Sequence, residues 1–183
     1  MRRAFSSQDQ ADLVRAERDV QARIGDLDVD FRAMAVVANV FRVASAARSR
    51  LERTVLAGAD LSFTAFTVLW VLWVWGEMES RHLAAEVGVT KGTLTGVVGT
   101  LERRGLATRT TDGADRRVVR VAPTDEAIDL MHRLFPAFNA EETRIAGVLD
   151  DTSQSELAHL LREVLRGLDN ITDLDTREEA AHG

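Results

Sequence analysis

The chain has 183 residues, a formal net charge of −6, 45% hydrophobic and 28% charged residues, and neither cysteine nor tyrosine. That length bounds it to one domain with appendages, and that composition describes a soluble globular chain. Zero cysteines exclude disulfides, thiolate metal sites and thiol-based redox sensing by this chain. No run of about 18 apolar residues is present, so no membrane span and no membrane partner are expected. The basic start MRRAFSSQDQ lacks the apolar core of a secretory signal, and the cytoplasm is the expected location.

Residues 1–25 are expected to form a helix. Ser7 and Gln10 have capping-box spacing, Leu13, Val14, Val20 and Ile24 make a sparse apolar stripe, and Gly25 stops it. An acidic linker, 25–30, follows. Residues 33–57 read as one long helix with Met34, Val37, Phe41, Ala44, Leu51 and Val55 as its buried stripe, ended by Gly58. Arg42 lies among these apolar residues, where a guanidinium fits either an anionic ligand or, more commonly, an intersubunit or capping ion pair. The next helix, 61–76, has Ser62 as its cap. Phe63, Phe66, Leu69, Trp70, Trp73 and Val74 make it so apolar that burial on most sides is expected. Trp70, Trp73 and Trp75 are the chain's only tryptophans; the cluster reads first as core and hinge packing, second as a ligand cage.

Residues 81–121 predict helix, tight turn, helix and a two-stranded ribbon. Ser80 is expected to cap the helix 81–87, Gly88 to supply a left-handed turn, Thr90 to cap a second helix reaching about Arg104, and Gly105 to end it. Leu83, Ala84 and Val87 on one helix, and Leu94, Val97, Val98 and Leu101 on the other, give each a single apolar face. The face left over carries Thr90, Lys91, Thr93 and Thr95 at its N-terminal end. A recognition helix needs that arrangement, because its first residues reach base edges in the major groove. Residues 106–111 (LATRTT) and 117–121 (RVVRV) are β-prone and flank a polar link containing Asp-Gly, a hairpin signal. A hairpin tipped by Asp115, Arg116 and Arg117 makes an arginine-tipped wing, suited to the narrow, negative minor groove.

Thr124 then caps a helix from Asp125 to about Leu149, with Pro136 expected to kink it near 132–135. Ser153 and Glu156 form a capping box for a last helix, about 153–169, whose broad apolar face is Leu157, Leu160, Leu161, Val164, Leu165 and Leu168. Residues 173–183 are polar and expected to fray.

A charge of −6 is at odds with DNA binding until it is divided. Residues 90–121 hold seven basic side chains (Lys91, Arg103, Arg104, Arg109, Arg116, Arg117, Arg120) against Glu102, Asp112 and Asp115, a net +4 that leaves −10 on everything else. The local field meets the phosphates, and the acidic remainder turns DNA away from the other surfaces. The bland reading of the same count is a solvated charged face.

These runs, LSFTAFTVLW, HLAAEVGVTKGTLTGVVGTLERRGLATR and DGADRRVVRVAPT, resemble the MarR (multiple antibiotic resistance regulator) family of bacterial transcription factors, over 61–124 most clearly and over most of 33–169 in all. The resemblance implies a mainly α fold: a winged helix-turn-helix head at 61–124 and a helical dimerisation region from 1–57 and 125–183. It implies a homodimer whose terminal helices interlock, placing two heads about 34 Å apart on a palindrome. It implies an effector site in the crevice between dimer helices and head, with Trp73 first as a wall, then Trp70 and Arg42.

On that basis Thr90, Lys91, Thr93 and Thr95 face the major groove, and Arg117 enters the minor groove with Arg116 in reserve. Asp115 steadies the tip by pairing with an arginine. Arg103, Arg104 and Arg109 contact the backbone or serve the helix dipole. Two departures stand out. Many relatives carry arginine where this chain has Gly96, which shifts weight to the wing and to DNA shape; Ala127 replaces a frequent glycine without expected consequence.

The function expected is therefore a ligand-responsive repressor of double-stranded DNA, with a small-molecule effector such as an aromatic acid and no cofactor. The alternative is a sequence-tolerant DNA-compacting protein with the same head. An enzyme has least behind it: His82, His132, His159 and His182 show no metal-ligand spacing, and no nucleophile turn or phosphate loop is visible.

Overall fold

The computed structural model describes residues 10–111 and 118–182, which are mostly helical with one small antiparallel sheet. They fall into two compact units, one up to Arg53 and one from Thr54 onward. Among them, no helix is long and apolar enough to cross a membrane.

The first unit holds α1 (Gln10–Ile24) and most of α2 (Phe31–Thr54). Ser7, the expected cap of α1, lies outside the described residues. Asp30 starts α2 earlier than expected, its Oδ1 accepting from the amides of Arg32 at 2.9 Å and Ala33 at 3.0 Å. Two helices lie side by side here through Glu17, whose carboxylate accepts from Asn39 at 3.1 Å and meets Arg42 at 3.5 Å. The stripe expected to be buried on α2 is not: Leu51 is buried, but Met34, Val37, Phe41 and Ala44 are exposed, Phe41 by 70%. Helical periodicity identifies an apolar face, not what covers it, and within one chain most of this face is uncovered.

Gly58 does not end α2. It lies within a 3-10 turn, Leu56–Ala59, and the left-handed residue is Asp60, with φ 51°. A short polar side chain tolerates that region better than a bulky one.

The second unit is built around α3 (Phe63–Trp75), which packs on α4 (Ser80–Val87), α5 (Lys91–Arg103), α6 (Asp125–Ala146) and the sheet. Ser62 caps α3 as expected, accepting from the Ala65 amide at 3.2 Å. Ala65, Phe66, Val68, Leu69, Val71 and Leu72 are buried, Trp70 and Trp73 half-buried, and Val74 and Trp75 exposed. Phe66 stacks on Phe138 of α6 with ring centres 4.1 Å apart. Pro136 lies inside α6 without ending it.

The sheet has three strands rather than the two expected: β1 (Met78–Glu79), β2 (Ala107–Thr111) and β3 (Val119–Pro123), in the order β1-β3-β2. Both pairings are antiparallel, with Arg109 opposite Val121 and Glu79 opposite Arg120. β1 is too short to show any alternation in sequence.

Beyond α6, α7 runs from Asp151 to His182, well past the expected end near 169. Its cap is Asp150 rather than the Ser153–Glu156 box, because Asp150 Oδ1 accepts from the Ser153 amide at 2.8 Å. That hydrogen bond favours the ionised form and holds the Asp150 carboxyl below its usual range. The apolar face from Leu157 to Leu168 is there as expected, and it is exposed.

Candidate nucleic-acid interface

The start of α4 is set by the sheet. Met78 and Glu79 pair with Val121 and Arg120, and the helix begins directly at Ser80, with Glu79 in the cap position and making no side-chain capping bond. Ser80 is thus the first helical residue, not the cap expected for it. The turn after α4 follows the sequence reading. Gly88 has φ 69°, its amide reaches Ala85 O at 3.0 Å, and the Val89 amide reaches Ala84 O at 3.0 Å. These are the paired bonds of a Schellman ending, for which glycine removes the penalty a Cβ would incur. Leu83, Leu94, Val98 and Leu101 are all buried, so the apolar faces of α4 and α5 lie inward.

That burial turns the opposite face of α5 outward. Thr90, Lys91, Thr93, Thr95 and Gly96 are all exposed. Thr90 caps α5 as expected, its Oγ1 accepting from the Thr93 amide at 3.2 Å and sharing a proton with Thr93 Oγ1 at 2.9 Å. Thr95 donates its hydroxyl to Lys91 O at 2.8 Å. Its hydroxyl proton is therefore committed to the helix, whereas the Thr90–Thr93 pair keeps one hydroxyl proton to give outward. The first turn also presents unpaired amides and the positive end of the helix dipole, both favourable to an anion. At Gly96 an added Cβ would meet nothing within 4 Å, so the backbone itself leaves room for a side chain there. Ala127, the second departure, is buried.

The other arginines divide. Arg103 donates to Thr100 Oγ1 at 2.9 Å and remains exposed. Arg109, on β2, donates from Nε to Glu102 Oε2 at 2.8 Å and from Nη2 to the same oxygen. The hydrogen bond and the opposite charge hold the Glu102 carboxyl below its usual range and raise the guanidinium of Arg109. Arg104 is instead committed to the protein: Nη1 donates to Asp60 O at 2.5 Å and Nη2 to Ala59 O at 2.7 Å, tying the end of α5 to the turn before α3. Arg120 faces Glu77 at 3.8 Å.

Thr90, Lys91, Thr93 and Thr95 thus share one end of α5, while Arg103 and Arg109 lie near its other end. Thr111 pairs with Val119, so β2 and β3 form the ribbon, but Asp115, Arg116 and Arg117 lie outside the described residues. Glu102 was not among the expected site residues. Its seven-residue separation from Arg109 crosses a helix end and a strand start, where no periodicity applies.

The candidate effector residues are separated among elements. Trp73 of α3 packs against His132 at 5.4 Å and Phe135 at 5.5 Å, both on α6, and Trp70 meets Trp75 edge-on at 5.3 Å. These contacts fit the packing role. Arg42 belongs to the other unit, on a groove of about 520 Å³ lined by Val14, Phe31, Met34, Ala38 and others. Among the described residues no group of three His, Cys, Asp or Glu side chains is placed to hold a metal.

Helix, tight turn, helix and antiparallel ribbon in this order define a winged helix-turn-helix protein. Residues 61–119 match the model of the MarR family. The uncharacterized HTH-type transcriptional regulator YwaE of Bacillus subtilis is 33% identical over 159 residues, covering 85% of this chain and 93% of that one. The chain belongs to the MarR family and is a transcriptional regulator of that type. The same fold recurs in Sco3205 of Streptomyces coelicolor, a MarR family regulator solved in complex with DNA, with a TM-score of 0.69 and 21% identity over 76% of this chain and 89% of that one. It recurs also in BpsR of Bordetella bronchiseptica, described with regulation of its DNA binding by 6-hydroxynicotinic acid, with a TM-score of 0.65 and 23% identity over 70% and 91% of the two chains.

Proposed function

We propose that this regulator is a ligand-responsive repressor that binds double-stranded DNA sequence-specifically, as a homodimer on a palindromic operator. The observation that carries the reading is the exposed start of α5, with Lys91 and the threonines presented on a helix whose opposite face is locked inward. In this reading that turn enters the major groove: Lys91 meets phosphate or guanine, the hydroxyls meet mostly phosphates, and Arg103 and Arg109 meet the backbone. Asp115, Arg116 and Arg117 extend the contact to the minor groove, with Arg117 inserting. The head is 61–124, and the flanking segments 1–57 and 125–183 make the dimer.

Two further observations support the proposal. Sco3205 was solved with DNA bound. The uncovered apolar faces of α2 and α7 suit burial against a second copy. Regulation by ligand rests on BpsR, whose DNA binding responds to an aromatic acid. The corresponding effector here is an aromatic acid, with Trp73 and then Trp70 as candidates for a wall of its site and Arg42 as a separate candidate for pairing its carboxylate. It favours a spacing of the two heads that no longer fits successive grooves.

The test is titration of a duplex from the chain's own upstream DNA, and of an unrelated duplex, over a range of salt. Arg117→Ala is expected to weaken operator binding by about 1–3 kcal/mol and to lower the salt slope by roughly 1. Unchanged binding would remove Arg117 from the interface. A second reading, a sequence-tolerant DNA-compacting protein, draws on Gly96, which offers no side chain to read a base. Equal affinity for both duplexes would favour it.

A further inference from the structure

Near the C-terminal end of α5 two guanidinium groups converge on a residue without a side chain. A Cβ added at Gly99 would meet Arg109 Nη2 at 3.4 Å and Arg103 Nη1 at 3.7 Å. The two cations therefore flank the same backbone position, one reaching in from β2 and the other from the last turn of the helix. Because Gly99 has no side chain, nothing from that position comes between them. Each arginine is already oriented by a neighbour, Arg103 through Thr100 Oγ1 and Arg109 through Glu102.

The bonding of Arg109 to Glu102 does not use its whole guanidinium. Its Nε and Nη2 share one oxygen of Glu102, so Nη1 is uncommitted to that carboxylate. A fork with one edge held by a carboxylate is pre-organised, and little side-chain entropy remains to be lost when the other edge meets an anion. The charge sum is two cations and one carboxylate. The site attracts a singly charged tetrahedral anion, and the same carboxylate repels it.

We propose that Arg103 and Arg109 form a clamp over Gly99 for one phosphodiester of the DNA backbone, and that Glu102 orients Arg109 while restraining the affinity of the clamp. This deepens the functional reading above and rests on it. Glu102 is then a positioning residue that weakens the complex it helps to shape. A like charge beside the bound phosphate, screened by water, is worth a factor of several, and the effect shrinks as salt rises.

The experiment is a double-mutant cycle in the full-length protein, titrated on upstream and unrelated duplexes at low and high salt. Glu102→Gln keeps the shape of the side chain and one acceptor oxygen, which is all that Arg109 uses, while removing the charge. It is expected to tighten binding about three- to tenfold at low salt, on both duplexes, with most of the gain lost at high salt. Arg109→Ala is expected to weaken binding and lower the salt slope by roughly 1. In the Glu102→Gln/Arg109→Ala protein most of the gain is expected to vanish, because without Arg109 no phosphate is held beside residue 102. Unchanged or weaker binding by Glu102→Gln, or a gain that persists without Arg109, would overturn the clamp while leaving the DNA-binding reading intact. Failure of the unmodified protein to bind either duplex would overturn that reading and the clamp with it.

Discussion

At the scale of single residues, the head is held together by side chains that each satisfy two backbone groups. Thr124 accepts from the Ala127 amide at 3.2 Å and donates to the Gly105 carbonyl at 2.7 Å, joining the start of α6 to the end of α5. Losing both bonds leaves a capping amide and a carbonyl without their partner. Thr124→Ala is expected to lower stability by about 1–2 kcal/mol, measured by urea unfolding, and Thr124→Ser to restore most of it. Equal midpoints for wild type and Thr124→Ala would show the bonds to be replaceable by water. Asp60 gives a second case. Its φ of 51° places a non-glycine residue in the left-handed region, and its carbonyl is one of the two that Arg104 holds. Asp60→Val is expected to cost about 1–2 kcal/mol and Asp60→Gly far less, since only the branched side chain is strained there. If the two variants unfold together, backbone strain is not what selects the residue.

At the scale of elements, legibility tracked how local the determining interaction is. Ser62, Thr90 and Thr124 each cap a helix through an amide three residues on, and Gly88 and Gly105 turn left-handed at φ 69° and 70°. All of that is written within four residues of sequence. Asp30 and Asp150 carry the same local signal, since aspartate caps as well as serine does, but Asp30 reads as the end of the acidic linker and Ser153 with Glu156 competes with Asp150 for the assignment. Ser80 went the other way. It looks like a cap, yet α4 starts where β1 stops pairing with β3, a partner some forty residues distant. The Glu102–Arg109 pair and the anchoring of Arg104 on Asp60 were equally invisible, because each joins elements that only the folded chain brings together. Of the candidate interface, the exposed face of α5 was readable from periodicity alone. The roles of its arginines were not, because three basic side chains of one type proved to have three different partners.

For the whole molecule, two features do not fit a solitary chain. Phe41 on α2 is 70% exposed, and Leu157, Leu160, Leu161, Val164, Leu165 and Leu168 line an exposed face of α7. Such contiguous apolar surface is expected to be covered in solution. The account predicts that the 20.2 kDa chain sediments as a dimer at micromolar concentration, and that Leu160→Glu with Leu165→Glu shifts it toward monomer or unfolds it. A wild-type protein sedimenting as a single chain would contradict the dimer and, with it, symmetric recognition. Charge supplies the second feature. A net +4 between residues 90 and 121 against −10 elsewhere confines attraction for a polyanion to the head.

The central claim, that two copies of this head read successive grooves of one duplex, is tested most directly by footprinting the purified protein on the DNA upstream of its own gene. The account predicts two protected half-sites, related by a dyad and centred about 10 base pairs or a multiple of that apart, with Lys91→Ala weakening both alike. Protection of a single unrepeated site, or uniform protection along the fragment, would contradict it.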